Sequence, residues 1–536
     1  MSPLERLALL GILLLALGLR LTGISFGLDL DESARVFLGG HKDERGMALD
    51  VQAGFLRGDL HPRSYLFRGP GGFVLFGAAD AVVVAGQTLL REQSWNDVLA
   101  DLERNPSLVH LVHRSLSALA GVLSVLMLFT ILRREFDVQS ALAASLFLST
   151  SYLHVRSSQF GAVDVLWGLA MLASLDQMLR LIRDPRPGRY VWSGLLIGVT
   201  TSIKYFGALL VPPLLVAHVL ARAEARRGAH PPPGHARALL ALAVCPLGFL
   251  LLFPGVFVAA SDFVGHLRHD LELLAPRAEL GTPLRGLVHH LRYTFAIGLG
   301  EPVFVLALAG LVLAWRRGSA GRFLVLSLLL LAPTPFLSRI PILRYGLALL
   351  VWLAAPAGIA LAAWLRRMPR SLAGIAIVLV VAPSLVRSLA SDRLLLGRDT
   401  RDEMLALLAQ RAEPAAQVLA FGHLDALPKY GRASLYRHYL LSWGAGKLDI
   451  ADVLADPPQA ILLDLSDSSL RIPGRDELLS LIQSRYREVR RLTDHFEPGP
   501  MLQDKVLAPG LFVPYARPWS MTRPGPPLVL YERADE

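Results

Sequence analysis

Through roughly its first 390 residues the chain keeps returning to apolar segments that reach or approach the roughly 20 residues needed to cross a bilayer. They lie near 5–23, 108–132, 138–155, 164–182, 190–203, 206–221, 238–259, 296–315, 323–337, 345–365 and 371–388, with an ambiguous twelfth at 71–90. The spacing predicts a polytopic α-helical membrane protein with about eleven crossings. A mean hydropathy of +0.45 and only 18% charged residues agree, since a soluble domain carries more charge. The lone Cys245 lies within an apolar run, which excludes a disulfide framework and a cysteine metal site.

The formal charge of +10 would suit nucleic acid if it formed a patch, but the arginines fall between apolar segments, where they report topology. Connections 133–134, 180–189, 222–237, 316–322 and 366–370 carry sixteen arginines, against the acids Glu135, Asp137, Asp184 and Glu224. All five are therefore expected on the cytoplasmic side. The first segment is followed by Arg20-Leu21-Thr22-Gly23 rather than a small-residue cleavage site, so it is read as a retained helix with a cytoplasmic N-terminus. Parity then puts both ends of 24–107 outside, and 71–90 becomes a helix lying on or dipping into the outer face. The same parity makes 190–221 a tight hairpin whose turn, Ser202-Ile203-Lys204-Tyr205, faces outward.

Four polar patches thus share the outer side: the loop 24–70, the turn His154 to Asp164, Lys204-Tyr205, and Arg339 to Arg344. Adjacent carboxylates beside a membrane are costly and seldom idle. Asp43 and Glu44 are such a pair, and Asp31-Glu32 with Asp29 is a rival closer to the first helix. On a helix, neighbours diverge by about 100°, so one carboxylate of a pair acts as the base. The plain alternatives are solvated loop carboxylates, Arg156, His154, Lys204 and Arg344 snorkelling to headgroups, and Asp164 capping its helix. Arg156, Lys204 and Arg344 together supply cations for a phosphate leaving group, while a carboxylate takes a proton from an incoming hydroxyl. No GxxxxGK[ST] and no GxGxxG between strand and helix is present, which argues against ATP-driven transport; a lipid-linked donor suits the outer side.

In order along the chain, His41-Lys42-Asp43-Glu44, Gly58-Asp59-Leu60-His61-Pro62, Arg114-Ser115-Leu116-Ser117-Ala118-Leu119-Ala120-Gly121, His154-Val155-Arg156 to Asp164, and Ser202-Ile203-Lys204-Tyr205-Phe206-Gly207-Ala208 resemble the protein O-mannosyltransferase-like branch of the GT-C membrane glycosyltransferases. The resemblance covers about residues 5–220, and more loosely Arg344-Tyr345 and the C-terminal region. It implies a polyprenyl- or dolichyl-phosphate-sugar donor and an inverting transfer on the outer face. The family's usual His-Pro-Asp-Glu precedes a Gly-Asp-Leu segment by a little over a dozen residues, which selects Asp43-Glu44 over Asp31-Glu32. Lys42 stands in place of that proline, and His61 where asparagine is common. By the resemblance Asp43 is the general base, Glu44 orients it or binds the acceptor, and Asp164 faces Asp43 directly or through a divalent ion, Mg or Mn. Arg156, Lys204 and Arg344 hold the donor phosphate, and His41, His61, His154 and Tyr205 are further site candidates.

The expected architecture is a GT-C transmembrane catalytic domain over 1–391 and a small extracytoplasmic α/β domain over 392–536. Helices are expected near 400–412 and 475–488, and strands near 418–421, 460–463 and 528–531. The expected protein is a multi-pass enzyme of the inner (plasma) membrane, moving a hexosyl or pentosyl unit to a protein, lipid or glycan acceptor of the cell envelope, as in protein glycosylation. The competing readings are a lipid or polysaccharide transporter or flippase, which would want polar residues at mid-bilayer, and a GT-C scaffold without activity. A reporter fused after Glu536 tests the topology: it is expected to read extracytoplasmic, and a cytoplasmic signal would undo the one-sided site.

Overall fold

The computed structural model describes residues 1–28, 42–59, 69–228, 232–257, 260–274, 283–333, 335, 342–411, 418–421, 453, 455–465, 475–493 and 515–534. The chain divides into two compact units, residues 1–24 with 43–389 and residues 25–42 with 390–536.

The first unit is helical. Helix α1 (Pro3–Leu21) opens on a capping box in which the Ser2 side chain accepts from the Glu5 N–H and Glu5 accepts from the Ser2 N–H. After it come α2 (Lys42–Ala53), α3 (Gly71–Arg91), and α4 (Trp95–Arg104), which has its own capping box from Ser94 and Asp97. Then follow α5 (Ser107–Glu135), α6 (Val138–Thr150, capped by Asp137), α7 (Tyr152–Ser158), α8 (Val163–Arg183) and α9 (Pro187–Ile203). Beyond a 3-10 turn at Tyr205–Leu210 lie α10 (Val211–Ala225), α11 (His235–Leu251), α12 (Ala260–Leu274) and α13 (Pro283–His289). A π-helix, His290–Ile297, leads into α14 (Glu301–Trp315), followed by α15 (Gly318–Leu331), α16 (Leu347–Leu365) and α17 (Arg370–Leu395).

Each of the eleven apolar segments overlaps a helix, but they differ in length. Among the described residues, six helical stretches are long and apolar enough to cross a membrane, or seven if the pair on either side of the bend at Gly298–Gly300 is one span. That bend is 105°, with Gly300 at φ 103, a left-handed value glycine adopts without strain. Val138–Thr150, His235–Leu251 and Gly318–Leu331 are shorter apolar helices. α3 also qualifies by length and composition, so its outer placement rests on charge parity alone.

α16 is apolar all round and buried along Leu347–Ala362, the mark of a central helix, with α6, α8, α14 and α15 packed about it. α9 and α11 approach through glycines: a Cβ at Gly198 would lie 2.0 Å from the Cys245 carbonyl oxygen, and one at Gly248 would lie 2.1 Å from that of Leu195. Small residues let helices pack backbone to backbone where no hydrophobic drive separates protein from lipid.

The apolar run 138–155, expected as one span, is broken at Ser151. Ser149 and Thr150 hydroxyls bond back to the Leu146 carbonyl, a habit that loosens a helix. The carbonyls left at the break are met from outside it: Arg20 donates to the Leu148 and Ser149 oxygens, and Ser384 and Ser388 donate to that of Thr150. α7 is thus held among α1 and α17, which supply the partners that irregular backbone in a membrane fold needs.

In the second unit β1 (Val418–Phe421), β2 (Ala460–Asp464), β3 (Tyr486–Leu492) and β4 (Leu528–Arg533) form one sheet in the order β1-β2-β4-β3, with β1 and β2 parallel and the other pairs antiparallel. α18 (Thr400–Arg411) covers one face through Met404 and Leu408, and α19 (Arg475–Arg485) covers the other through Leu478, Leu481 and Ile482. The sequence places a helix over 475–488, but Tyr486 to Glu488 already belong to β3. This is an edge strand whose arginines, and a bulge between Glu488 and Arg490, conceal the period-2 pattern.

Candidate active site

Two buried ion pairs stand on either side of the turn Phe160–Ala162. The first fastens α2 to α5. Glu44 is fully buried, and its Oε1 accepts from Arg114 Nε at 2.6 Å while Oε2 accepts from Nη2 at 3.1 Å. The Gly161 N–H donates to Oε1 at 3.2 Å, and His110 Nδ1 lies 3.6 Å away. Burial pushes the Glu44 carboxyl up, but the Arg114 guanidinium and His110 outweigh it and hold the group well below the usual carboxylate range. Gly161 has no room for a side chain, since a Cβ there would meet His113 Cβ at 2.5 Å. His113, one turn along α5 from His110, pairs its Nε2 with Asp80 of α3 at 2.7 Å and stacks on Phe76 at 4.4 Å between ring centres.

The second pair joins the start of α8 to the end of α9. Lys204 Nζ donates to Asp164 Oδ1 at 2.5 Å, and both side chains are buried. Arg344 Nε lies 3.8 Å from Asp164 Oδ2. The Lys204 ammonium also sits 4.4 Å from the Tyr345 ring centre, 5.1 Å from that of Trp167 and 5.7 Å from that of Phe206, each within reach of a ring quadrupole. Trp167, Met171, Phe206, Leu210, Leu331 and Leu349 line a small apolar cavity beside it. The extended backbone at Lys204, between α9 and the 3-10 turn, gives this side chain its own direction. Glycines at the head of α3 make the fit close: a Cβ on Gly69 would lie 1.8 Å from the Ser202 carbonyl oxygen, and one on Gly72 would lie 2.3 Å from Val163 Cγ1.

The expected site residues separate accordingly. Asp164, Lys204 and Arg344 come together, and Glu44 meets Gly161 of the same turn. Arg156 and His154 lie on α7: Arg156 Nη1 donates to the Tyr152 hydroxyl at 2.7 Å, and His154 Nδ1 accepts from Arg20 Nη2 at 2.7 Å. Tyr205 faces the Phe263 ring, with centres 6.4 Å apart. His41 and His61 lie outside the described residues, as do Asp29, Asp31 and Glu32; of Asp43 the backbone is described, as part of α2, and the side chain is not. Arg114, His110, His113 and Asp80 carry no role in the sequence reading. Their signal was available: ionisable residues inside apolar helices, with 110, 113 and 114 on one helical face.

Among the described residues no three His, Cys, Asp or Glu side chains are placed to hold a metal ion. Asp164, one half of the ligand pair named for a divalent ion, already carries an ammonium and a guanidinium, so an added divalent cation would meet two like charges. Asp164 as placed does not fit that group.

Residues 109–249 match the family model described as dolichyl-phosphate-mannose-protein mannosyltransferase. A sequence search of curated proteins gives no match. The chain is similar in structure to ArnT from Cupriavidus metallidurans bound to undecaprenyl phosphate, at 16% identity and a TM-score of 0.50 over 92% of this chain and 96% of that one. It is similar also to ArnT from the same organism in the apo state, at 17% identity and a TM-score of 0.51 over 87% and 94%.

Removing one partner of a buried pair strands the other charge, which costs about 3–5 kcal/mol. Asp164→Asn is therefore expected to lower the unfolding midpoint of the detergent-solubilised protein sharply, and Asp164→Asn with Lys204→Met to recover most of it; an unchanged midpoint in the single variant would contradict the pairing. The family match thus lies inside the first unit, and the fold over most of the chain is similar to that of the two ArnT structures.

Proposed function

We propose that the protein transfers a sugar, with inversion, from a polyprenyl-phosphate donor to an acceptor hydroxyl on the outer face of a membrane. The observation that carries this reading is the convergence of Lys204 and Arg344 on Asp164 beside an apolar cavity. Two cations facing one carboxylate leave one net positive charge. A sugar–phosphate–lipid diester carries one negative charge, and the lipid phosphate that departs carries up to two. A site of this charge holds the leaving group more strongly than the donor, which is the condition for catalysis rather than mere binding. The apolar wall suits a lipid-borne donor, and an ArnT structure bound to undecaprenyl phosphate supports a lipid phosphate of that class.

The acceptor oxygen attacks the anomeric carbon from the face opposite the phosphate. The carbon–oxygen bond to phosphate breaks, its electron pair leaves with the lipid phosphate, and the hydroxyl proton passes to the Asp43 carboxylate. Asp164 keeps Lys204 and Arg344 facing one point. Arg156, one helix away beside Tyr152, is assigned to the donor side as a further cation.

Loss of a general base costs about 10²–10⁴-fold in rate. Asp43→Asn is expected to abolish transfer from a radiolabelled polyprenyl-phosphate sugar in membranes at unchanged expression, while Asp31→Asn stays active. Full activity in Asp43→Asn would sink the base assignment, and a loss confined to Asp31→Asn would move it to the rival pair.

A further inference from the structure

We propose that α5 is the positioning element of the reaction: Arg114, with His110 and the Gly161 N–H beside it, clamps Glu44 and so fixes the rotation of α2 about its own axis. The inference rests on the reading of Asp43 as the base, and it assigns residues to which that reading gives no task.

α2 is a twelve-residue helix followed by a short 3-10 turn, Phe55–Arg57. Its apolar contacts, through Met47, Ala48 and Val51, hold it against the bundle but have no preferred direction. Gln52 near its end donates to the Leu102 carbonyl at 3.0 Å, and direction at its start comes from Glu44, whose two oxygens take the Nε–Nη2 edge of one guanidinium, a geometry that tolerates little rotation. Arg114 is itself fixed, donating through Nη1 to the Ile24 carbonyl at 2.7 Å, with its guanidinium carbon 5.4 Å from the Phe160 ring centre. Neighbours on a helix are about 100° apart, so any rotation that slackens the Glu44 clamp re-aims residue 43 by the same angle. α5 makes a second attachment at His113, which holds Asp80 of α3, so one helical face carries both outer helices.

A positioning role separates from a merely structural one at Arg114→Lys, which keeps the buried positive charge and loses the fork. The purified full-length variant is assayed for thermal midpoint, donor KM and kcat, with Asp43→Asn measured alongside. Misplacing a catalytic group by about 1 Å costs about 10²-fold. The expected result is a near-native midpoint, a donor KM within about threefold of wild type, and kcat down about 10²-fold. A native kcat in Arg114→Lys, or a loss no larger than the loss of folded protein, would overturn the proposal. Glu44→Gln with Arg114→Gln, a neutral hydrogen-bonded pair without buried charge, is the second variant. Slow turnover in a folded protein supports the proposal; native turnover, or failure of both variants to fold, overturns it. If Asp43→Asn is active the base assignment itself fails; if Asp43→Asn is inactive while Arg114→Lys turns over normally, only the clamp fails.

Discussion

A carboxylate taken out of water must find a cation and further donors, or it costs more than the fold can absorb. At two places in the bundle that requirement organises everything around it. Glu44 is met by Arg114, His110 and the Gly161 N–H, and Asp164 by Lys204 and Arg344. The turn that supplies Gly161 also starts α8, which carries Asp164, so the two pairs share one short piece of backbone. Close approach of that backbone explains the glycines at 69, 72 and 161, where a single methyl would collide with Ser202, Val163 or His113.

The same economy of buried polar groups shapes α7. Three hydroxyl residues in a row weaken the helix at Ser151, and Arg20, Ser384 and Ser388 take up the carbonyls that result. The short helix that follows carries His154 and Arg156 into the interior, where His154 meets Arg20 and Arg156 meets the Tyr152 hydroxyl. A membrane fold tolerates irregular backbone only where protein supplies the missing partners, and such places tend to be functional. Arg344 is the more exposed of the two cations on Asp164, with 14% of its side chain exposed against 4% for Lys204.

Much of this was legible in the residues. Hydropathy located the apolar helices but not the polar α2, α4, α12 and α13, and charge parity grouped Asp164, Lys204 and Arg344 on one side before any distance was known. The strands Val418–Phe421, Ala460–Asp464 and Leu528–Arg533 followed from apolar runs between breakers. What the sequence concealed depends on contacts distant in the chain. Nothing near Glu44 announces Arg114, seventy residues on, and hydropathy averages over the hydroxyls that break the helix at Ser151. β3 escaped because Arg487, Arg490 and Arg491, with a bulge between Glu488 and Arg490, break the alternation. For Lys204 the sequence left snorkelling open beside the phosphate role, because its ring of Tyr345, Trp167 and Phe206 is assembled from three separate elements.

Whether Lys204 and Arg344 receive a lipid phosphate is tested most directly by binding, without knowledge of sugar or acceptor. Undecaprenyl phosphate added to the purified protein is expected to be retained in native mass spectrometry. Arg344→Gln, which removes one charge-assisted contact worth about 1.5–3 kcal/mol, is expected to weaken retention by about ten- to a hundredfold. Equal retention by wild type and Arg344→Gln, with both folded, would contradict a phosphate site at Asp164.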